Sequence, residues 1–145
     1  MILVGKNKLG HNVYRGKRPK SHSILEDAGI KYRIDLQSGM FEDINSDVLE
    51  MEKESEFGVQ VIDYDLGIVF PPSREEIQNI LHDIETSDGP VYVHCMHGKD
   101  RTGFVCAAWH ISKGVSFSDA VDDMFNNGFH VLPYVWWLWF LKKCT

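Results

Sequence analysis

Several things that would place a chain outside the ordinary globular proteins are missing here. The three cysteines, Cys95, Cys106 and Cys144, are an odd number without the paired spacing of a metal site, so they are read as free thiols. No apolar run before the C-terminal segment approaches the roughly 18 residues of a membrane span, and the opening MILVGKNKLG lacks the core of a secretory signal. A cytoplasmic protein without stable membrane insertion is the expectation. Repeats and low-complexity stretches are also missing, as in a globular chain. An excess of basic residues is missing too: the net charge of −6 argues against a general polyanion binder, and nucleic acid is not expected as a partner.

What is present is the balance of a packed domain. Hydrophobic residues make up 43% of the 145, enough for one core, so a single domain over 1–145 and a monomer are expected. Charge is unevenly placed. Residues 1–20 carry Lys6, Lys8, Arg15, Lys17, Arg18 and Lys20 and no carboxylate, whereas 42–65 are dominated by Glu and Asp. An anion-attracting face and a merely solvated basic arm both fit that pattern.

Strand and helix patterns alternate along the chain. ILV and NVYRG read as short strands. SILEDAGI reads as a brief helix, with Ser23 and Glu26 at capping-box spacing and Gly29 as its stop. KYRIDL places Tyr32, Ile34 and Leu36 on one strand face. Residues 45–57 fit an acidic surface helix, and VQVIDYDL a further strand. After two prolines, SREEIQNILHDIE repeats the capping box at Ser73 and Glu76, with Ile77, Ile80, Leu81 and Ile84 at helical spacing. PVYVH is then a strand, 102–113 a helix ended by Gly114, SFSDAVDDMF a shorter helix, and Pro133 opens a last one whose Trp136, Trp137 and Trp139 are read as core or crevice packing rather than a ligand cage. This order predicts an α/β fold of three layers, α/β/α, around a mainly parallel sheet of four to five strands.

In such a sheet the ligand site lies where a strand ends and the next helix begins. VYVHCMHGKDRTG, residues 91–103, occupies that turn. Gly98 permits backbone angles that let several N–H groups point inward together, and the following helix adds its positive end, which makes the loop an anion cradle. Arg101 offers a planar fork for two phosphate oxygens. Cys95 stands at the other end. A free thiol has a pKa of about 8.5, and such surroundings lower it to between roughly 3.5 and 7.5. Thr102 can set a hydroxyl beside the sulfur, and His94 can orient the loop or simply be a satisfied buried histidine. Zinc on Cys95, His94 and His97 is a weak option, since neighbours at a strand end rarely converge.

HCMHGKDRTG resembles the His-Cys-five residues-Arg-Thr-Gly signature of the cysteine-dependent protein tyrosine and dual-specificity phosphatases. YRGKRP, GIKYRIDLQS and GFH at 128–130 resemble the small dual-specificity-like branch. The resemblance implies the phosphatase fold and a two-step hydrolysis without metal or cofactor. Cys95 attacks phosphorus, and Met96, His97, Gly98, Lys99, Asp100 and Arg101 bind the phosphate. It also implies an aspartate as general acid on the loop after the preceding strand. Asp63 and Asp65 both fall near the right place, with strand alternation putting both on one side and Asp65 closer to the loop. Asp100 stands inside the cradle as a third choice, or as a salt bridge fixing it. GKDRTG is similar to the bacterial phosphatases that act on phosphoinositides as well as phosphotyrosine. The expected partner is a phosphorylated protein, with phosphotyrosine or dual specificity ahead of inositol phosphates. Tyr14, Tyr64, Phe70 and Phe129 are candidates for an aromatic wall, and Lys17, Arg18, His97 and Lys99 for extra cations. A rhodanese-like sulfurtransferase and a phosphate-binding module without turnover are the rival classes. Cys106, eleven residues after Cys95, is read as a small buried hydrophobe.

Overall fold

The computed structural model describes residues 1–37, 58–67 and 70–143. The acidic segment 45–57 and Cys144 lie outside them. Five strands form one sheet: β1 (Ile2–Lys6), β2 (Asn12–Lys17), β3 (Tyr32–Asp35), β4 (Gln60–Asp63) and β5 (Val91–Cys95), in the order β1-β2-β5-β3-β4. Only β1 runs antiparallel to its neighbour; β2, β5, β3 and β4 are parallel. The central strand, β5, is therefore the one that carries Cys95, with Lys17 beside it on β2 and Asp35 beside His94 on β3.

Helices cover the two faces unequally. On one side α1 (His22–Asp27) packs Leu25, with Ile30 and Val59, against Tyr92 and the half-buried Tyr14. On the other side lie α2 (Arg74–Thr86), α3 (Arg101–Ser112), α4 (Phe117–Asn126) and α5 (Val131–Lys143). Their buried Ile80, Phe104, Trp109, Met124 and Trp137 meet Ile34, Leu36, Val91 and Val93 of the sheet. The alternation of β3 and β5 decides this division, because successive side chains leave a strand on opposite faces.

Local signals explain most element ends. Ser73 accepts from the Glu76 N–H and Glu76 returns the bond to the Ser73 N–H, closing the capping box that starts α2. The buried Glu85 of α2 accepts from Trp109 Nε1 and pairs with Lys113, which clamps α2 to α3.

Two expectations need correction. Ser23 does not cap α1: the helix starts at His22, its extended N-cap is Ser21, and the Ser23 hydroxyl pairs with the Ser21 hydroxyl instead. Pro133 does not open the last helix but lies in its first turn, where a missing N–H costs nothing. The tryptophans of the last helix divide between the two settings expected of them: Trp137 is core, and Trp136 and Trp139 are exposed beside Phe70, Pro71 and Phe140 around a cleft of about 350 Å³. No helix among the described residues is long and apolar enough to cross a membrane.

Candidate active site

Cys95 ends β5 and Arg101 begins α3, so the two frame the loop 96–100 at the carboxyl edge of the sheet. The backbone of that loop is tied from outside. The Arg18 N–H donates to the Met96 carbonyl at 3.1 Å, and Arg15 Nη2 donates to the Gly98 carbonyl at 2.7 Å. His94 Nδ1 lies 3.2 Å from the Cys95 carbonyl. In a trans peptide the N–H points opposite to the C=O. Holding these three carbonyls outward turns the N–H groups of Met96, His97 and Lys99 the other way, towards the interior of the loop. Among the described residues the N–H groups of His97, Gly98 and Lys99 have no acceptor. This is a nest for an anion at a helix N-terminus.

Gly98 is required twice over. Its φ is +72°, and a Cβ there would lie 2.3 Å from the backbone carbon and oxygen of Gly16. The loop thus packs backbone to backbone on the end of β2. Gly16 in turn lies under Tyr92, whose hydroxyl donates to the Lys17 carbonyl at 2.6 Å.

The predicted residues fall into groups. Cys95, Gly98, Arg101 and Thr102 are buried at the loop, with Met96, His97 and Lys99 exposed around it. Arg101 Nη1 donates to the Leu66 carbonyl at 3.2 Å, which brings the segment after β4 to the loop. Asp65, exposed, immediately precedes Leu66. It forms an isolated antiparallel bridge with Gln37, because β4 ends at Asp63 and its alternation does not continue to Asp65. Asp63 stands opposite Asp35 in the ladder, with its charge acting on Arg33. Asp100 accepts from the His130 N–H at 2.8 Å and lies 3.1 Å from its ring Nδ1. That contact fastens the loop to the start of α5. Thr102 Oγ1 is fully buried and, among the described residues, has no hydrogen-bond partner.

His94 and Cys95 leave β5 on opposite faces, so with His97 they do not converge on one metal. Among the described residues no three His, Cys, Asp or Glu side chains are placed to hold a metal ion. The aromatic wall is largely committed elsewhere. Phe129 is core, Tyr14 packs beside α1, and Tyr64 donates its hydroxyl to Asp83, leaving Phe70 exposed. Burial and that bond push Tyr64 above its ordinary range. Arg18 is likewise taken, paired with Asp35 at 3.3 Å, whereas Lys17, His97 and Lys99 are exposed. Cys106 is buried in α3, and burial pushes its thiol up to about 11.

Sequence reasoning missed the cations behind the loop. Arg15 and Arg33 are nearly inaccessible, and Arg33 donates from Nε to His94 Nε2 at 2.7 Å, from Nη2 to Asp35 at 3.1 Å, and lies 3.2 Å from His22. The available signal was a charge at every second position of otherwise apolar strands, which reads as a solvent face.

The fold and this loop are those of the protein tyrosine phosphatase class. The chain belongs to the tyrosine phosphatase family, whose model matches residues 13–126. Its structure is similar to that of Tk-PTP in the active form, at 24% identity, a TM-score of 0.73 and coverage of 94% of this chain and 92% of that one. It is similar to the kinase associated phosphatase with its catalytic-site cysteine replaced by serine, at 10% identity, 0.79, 97% and 87%. It is also similar to the core catalytic domain of the PP-IP phosphatase SIW14 from S. cerevisiae in complex with citrate, at 16% identity, 0.71, 92% and 80%. No curated protein sequence matches.

Proposed function

We propose that the protein hydrolyses phosphate monoesters through a cysteinyl-phosphate intermediate, with phosphotyrosine or dual-specificity substrates first. One observation carries the reading: a cysteine and an arginine stand at the two ends of a loop in which the carbonyls of Cys95, Met96 and Gly98 are tied outward and the N–H groups of His97, Gly98 and Lys99 have no acceptor among the described residues. The Cys95 thiolate attacks phosphorus, forming the S–P bond as the ester P–O bond breaks. Asp65 delivers a proton to the departing oxygen. Water then attacks phosphorus, giving its proton to the Asp65 carboxylate, and the S–P bond breaks to release inorganic phosphate with Cys95 as thiolate. Arg101 and the N–H groups of Met96, His97, Gly98 and Lys99 stabilise the equatorial oxygens in both steps. Thr102, whose hydroxyl has no partner among the described residues, is assigned to the sulfur.

Asp65 is preferred as the acid because the next residue touches Arg101, whereas Asp63 belongs to the Arg33 face and Asp100 is engaged by His130. A second reading, inositol polyphosphates or phosphoinositides, is supported by the exposed Lys17, His97 and Lys99 around the loop and by the likeness to a PP-IP phosphatase. Protein substrates are put ahead of it on the strength of the tyrosine phosphatase family match alone.

The test is phosphate release by wild type and Cys95→Ser, with EDTA, from phosphotyrosine and phosphoserine peptides and a set of inositol phosphates. Activity that disappears with Cys95 supports the mechanism, and the ranking chooses the substrate class. Retained activity in Cys95→Ser overturns it, and vanadate binding without turnover points to a recognition module. Comparing Asp63→Asn, Asp65→Asn and Asp100→Asn on a poor and a good leaving group identifies the acid: only its loss spares the good leaving group.

A further inference from the structure

Behind the cradle, on the face of the sheet shared with α1, His94 is held from both ring nitrogens. Its Nε2 faces Arg33 Nε at 2.7 Å and its Nδ1 faces the Cys95 carbonyl at 3.2 Å. An arginine Nε carries a hydrogen and cannot accept. His94 Nε2 is therefore the acceptor, and the one hydrogen of the neutral ring lies on Nδ1, aimed at the Cys95 carbonyl.

The groups around the ring keep it neutral. Burial, the largest effect, pulls its pKa down to about 3, with Arg33 and Arg18 acting the same way and Asp35 opposing them. His22 on α1 lies 3.2 Å from Arg33, and the Tyr92 ring lies tilted beside His94 at 5.6 Å between centroids. Arg33 is itself fixed on the other side by Asp35, which also pairs with Arg18 and accepts from the Gln37 N–H at 2.9 Å. Three elements thus converge on one imidazole orientation.

We infer that Arg33 is a positioning residue for the nucleophile: by donating to His94 Nε2 it puts the ring hydrogen on Nδ1, and so fixes the peptide joining Cys95 to Met96. The inference rests on the reading of Cys95 as nucleophile. With the hydrogen on Nε2 instead, a lone pair would face the Cys95 carbonyl oxygen. That peptide would turn, and the Met96 N–H would leave the anion it serves. Arg33 touches no reacting atom; it acts through His94 on the charge that the sulfur and the phosphate oxygens carry.

The tautomer is the first readout, by long-range proton–nitrogen correlation on nitrogen-15-labelled wild type at neutral pH. Hydrogen on Nδ1 is expected; hydrogen on Nε2 overturns the inference with no variant and no substrate involved. The second readout is the pH midpoint of Cys95 alkylation by iodoacetamide, followed by mass mapping. Arg33→Met should raise that midpoint by about one pH unit, leaving about tenfold less thiolate below it. Arg33→Lys, which keeps a donor, should recover part of the loss. In a His94→Ala background Arg33→Met should add nothing, whereas a merely structural role would give additive effects and overturn the proposal. An unchanged midpoint in folded Arg33→Met overturns it as well, and if that variant does not fold, Arg33→Lys and the wild-type tautomer decide. The expected tautomer and midpoints in a protein without turnover would sink the phosphatase reading and leave this one standing. Full turnover with hydrogen on Nε2 would do the reverse.

Discussion

The two faces of the central strands β3 and β5 are made of alternate residues of the same ladder, yet they do different physical work. Ile34, Leu36, Val91 and Val93 enter an apolar core under four helices, while Arg33, Asp35 and His94 enter a buried polar network beneath α1. The apolar face supplies most of the free energy of folding, because burial of hydrocarbon is favourable whatever its orientation. The polar face supplies direction. Charges and imidazoles buried together gain little net stability over hydrocarbon, but each bond in the network has one geometry. The loop is thus anchored on the side where position matters and supported on the side where bulk matters.

The largest loss of stability is expected on the apolar side. Trp137→Ala removes a fully buried ring that meets Phe104 edge-on at 5.1 Å. A loss of about 3–5 kcal/mol is expected in urea unfolding. Turnover per folded molecule should survive. On the polar side Asp35→Asn leaves Arg18 and Arg33 without their carboxylate. It should cost on the order of 3 kcal/mol, and here vanadate affinity should fall with stability; a folded variant with undiminished affinity would erase the distinction between the faces.

A pH titration sharpens it further. His94 is neutral in the folded protein down to about pH 3, whereas in the unfolded chain it binds a proton below its ordinary value. The unfolded state then holds one proton more, so stability falls as pH drops from about 6.5 towards 3, at up to about 1.4 kcal/mol per unit. The His94→Asn profile should lack that slope, so that subtracting it from the wild-type profile leaves the slope standing, and an identical slope in both proteins would show that the imidazole is not the cause. The smallest effect is a control that touches neither face: Ser73→Ala should cost about 1 kcal/mol by thermal unfolding and leave vanadate affinity unchanged.

What could be read from the sequence was whatever is local in it. Cys95, Gly98 and Arg101 lie within one turn of chain, and their spacing already fixes a strand, a loop and a helix end. The Ser73–Glu76 box is local in the same way. The Arg33 network is not: His22, Arg33, Asp35 and His94 come from α1, β3 and β5, and nothing in the text of KYRIDL separates a charge facing water from one facing a helix. The same holds for Arg15, which reaches a carbonyl 83 residues away. Helix boundaries near Ser23 and Pro133 slipped by one or two residues, since capping residues near an end compete on equal terms. Trp136, Trp137 and Trp139 are consecutive enough to look alike, and only the packing of α5 separates the buried one from its neighbours.

The strand order has a consequence for the order of events during synthesis. The strand bearing Cys95 is the last of the five to leave the ribosome, yet it lies in the middle, between β2 and β3. Until it inserts, the pair β1–β2 and the pair β3–β4 have no shared edge and the nascent chain has no continuous sheet. Closing the sheet and placing the cysteine are thus one event, which makes folding non-local and comparatively slow. It also means that an incomplete chain carries no assembled anion cradle: the loop is completed only when α5 follows and His130 meets Asp100.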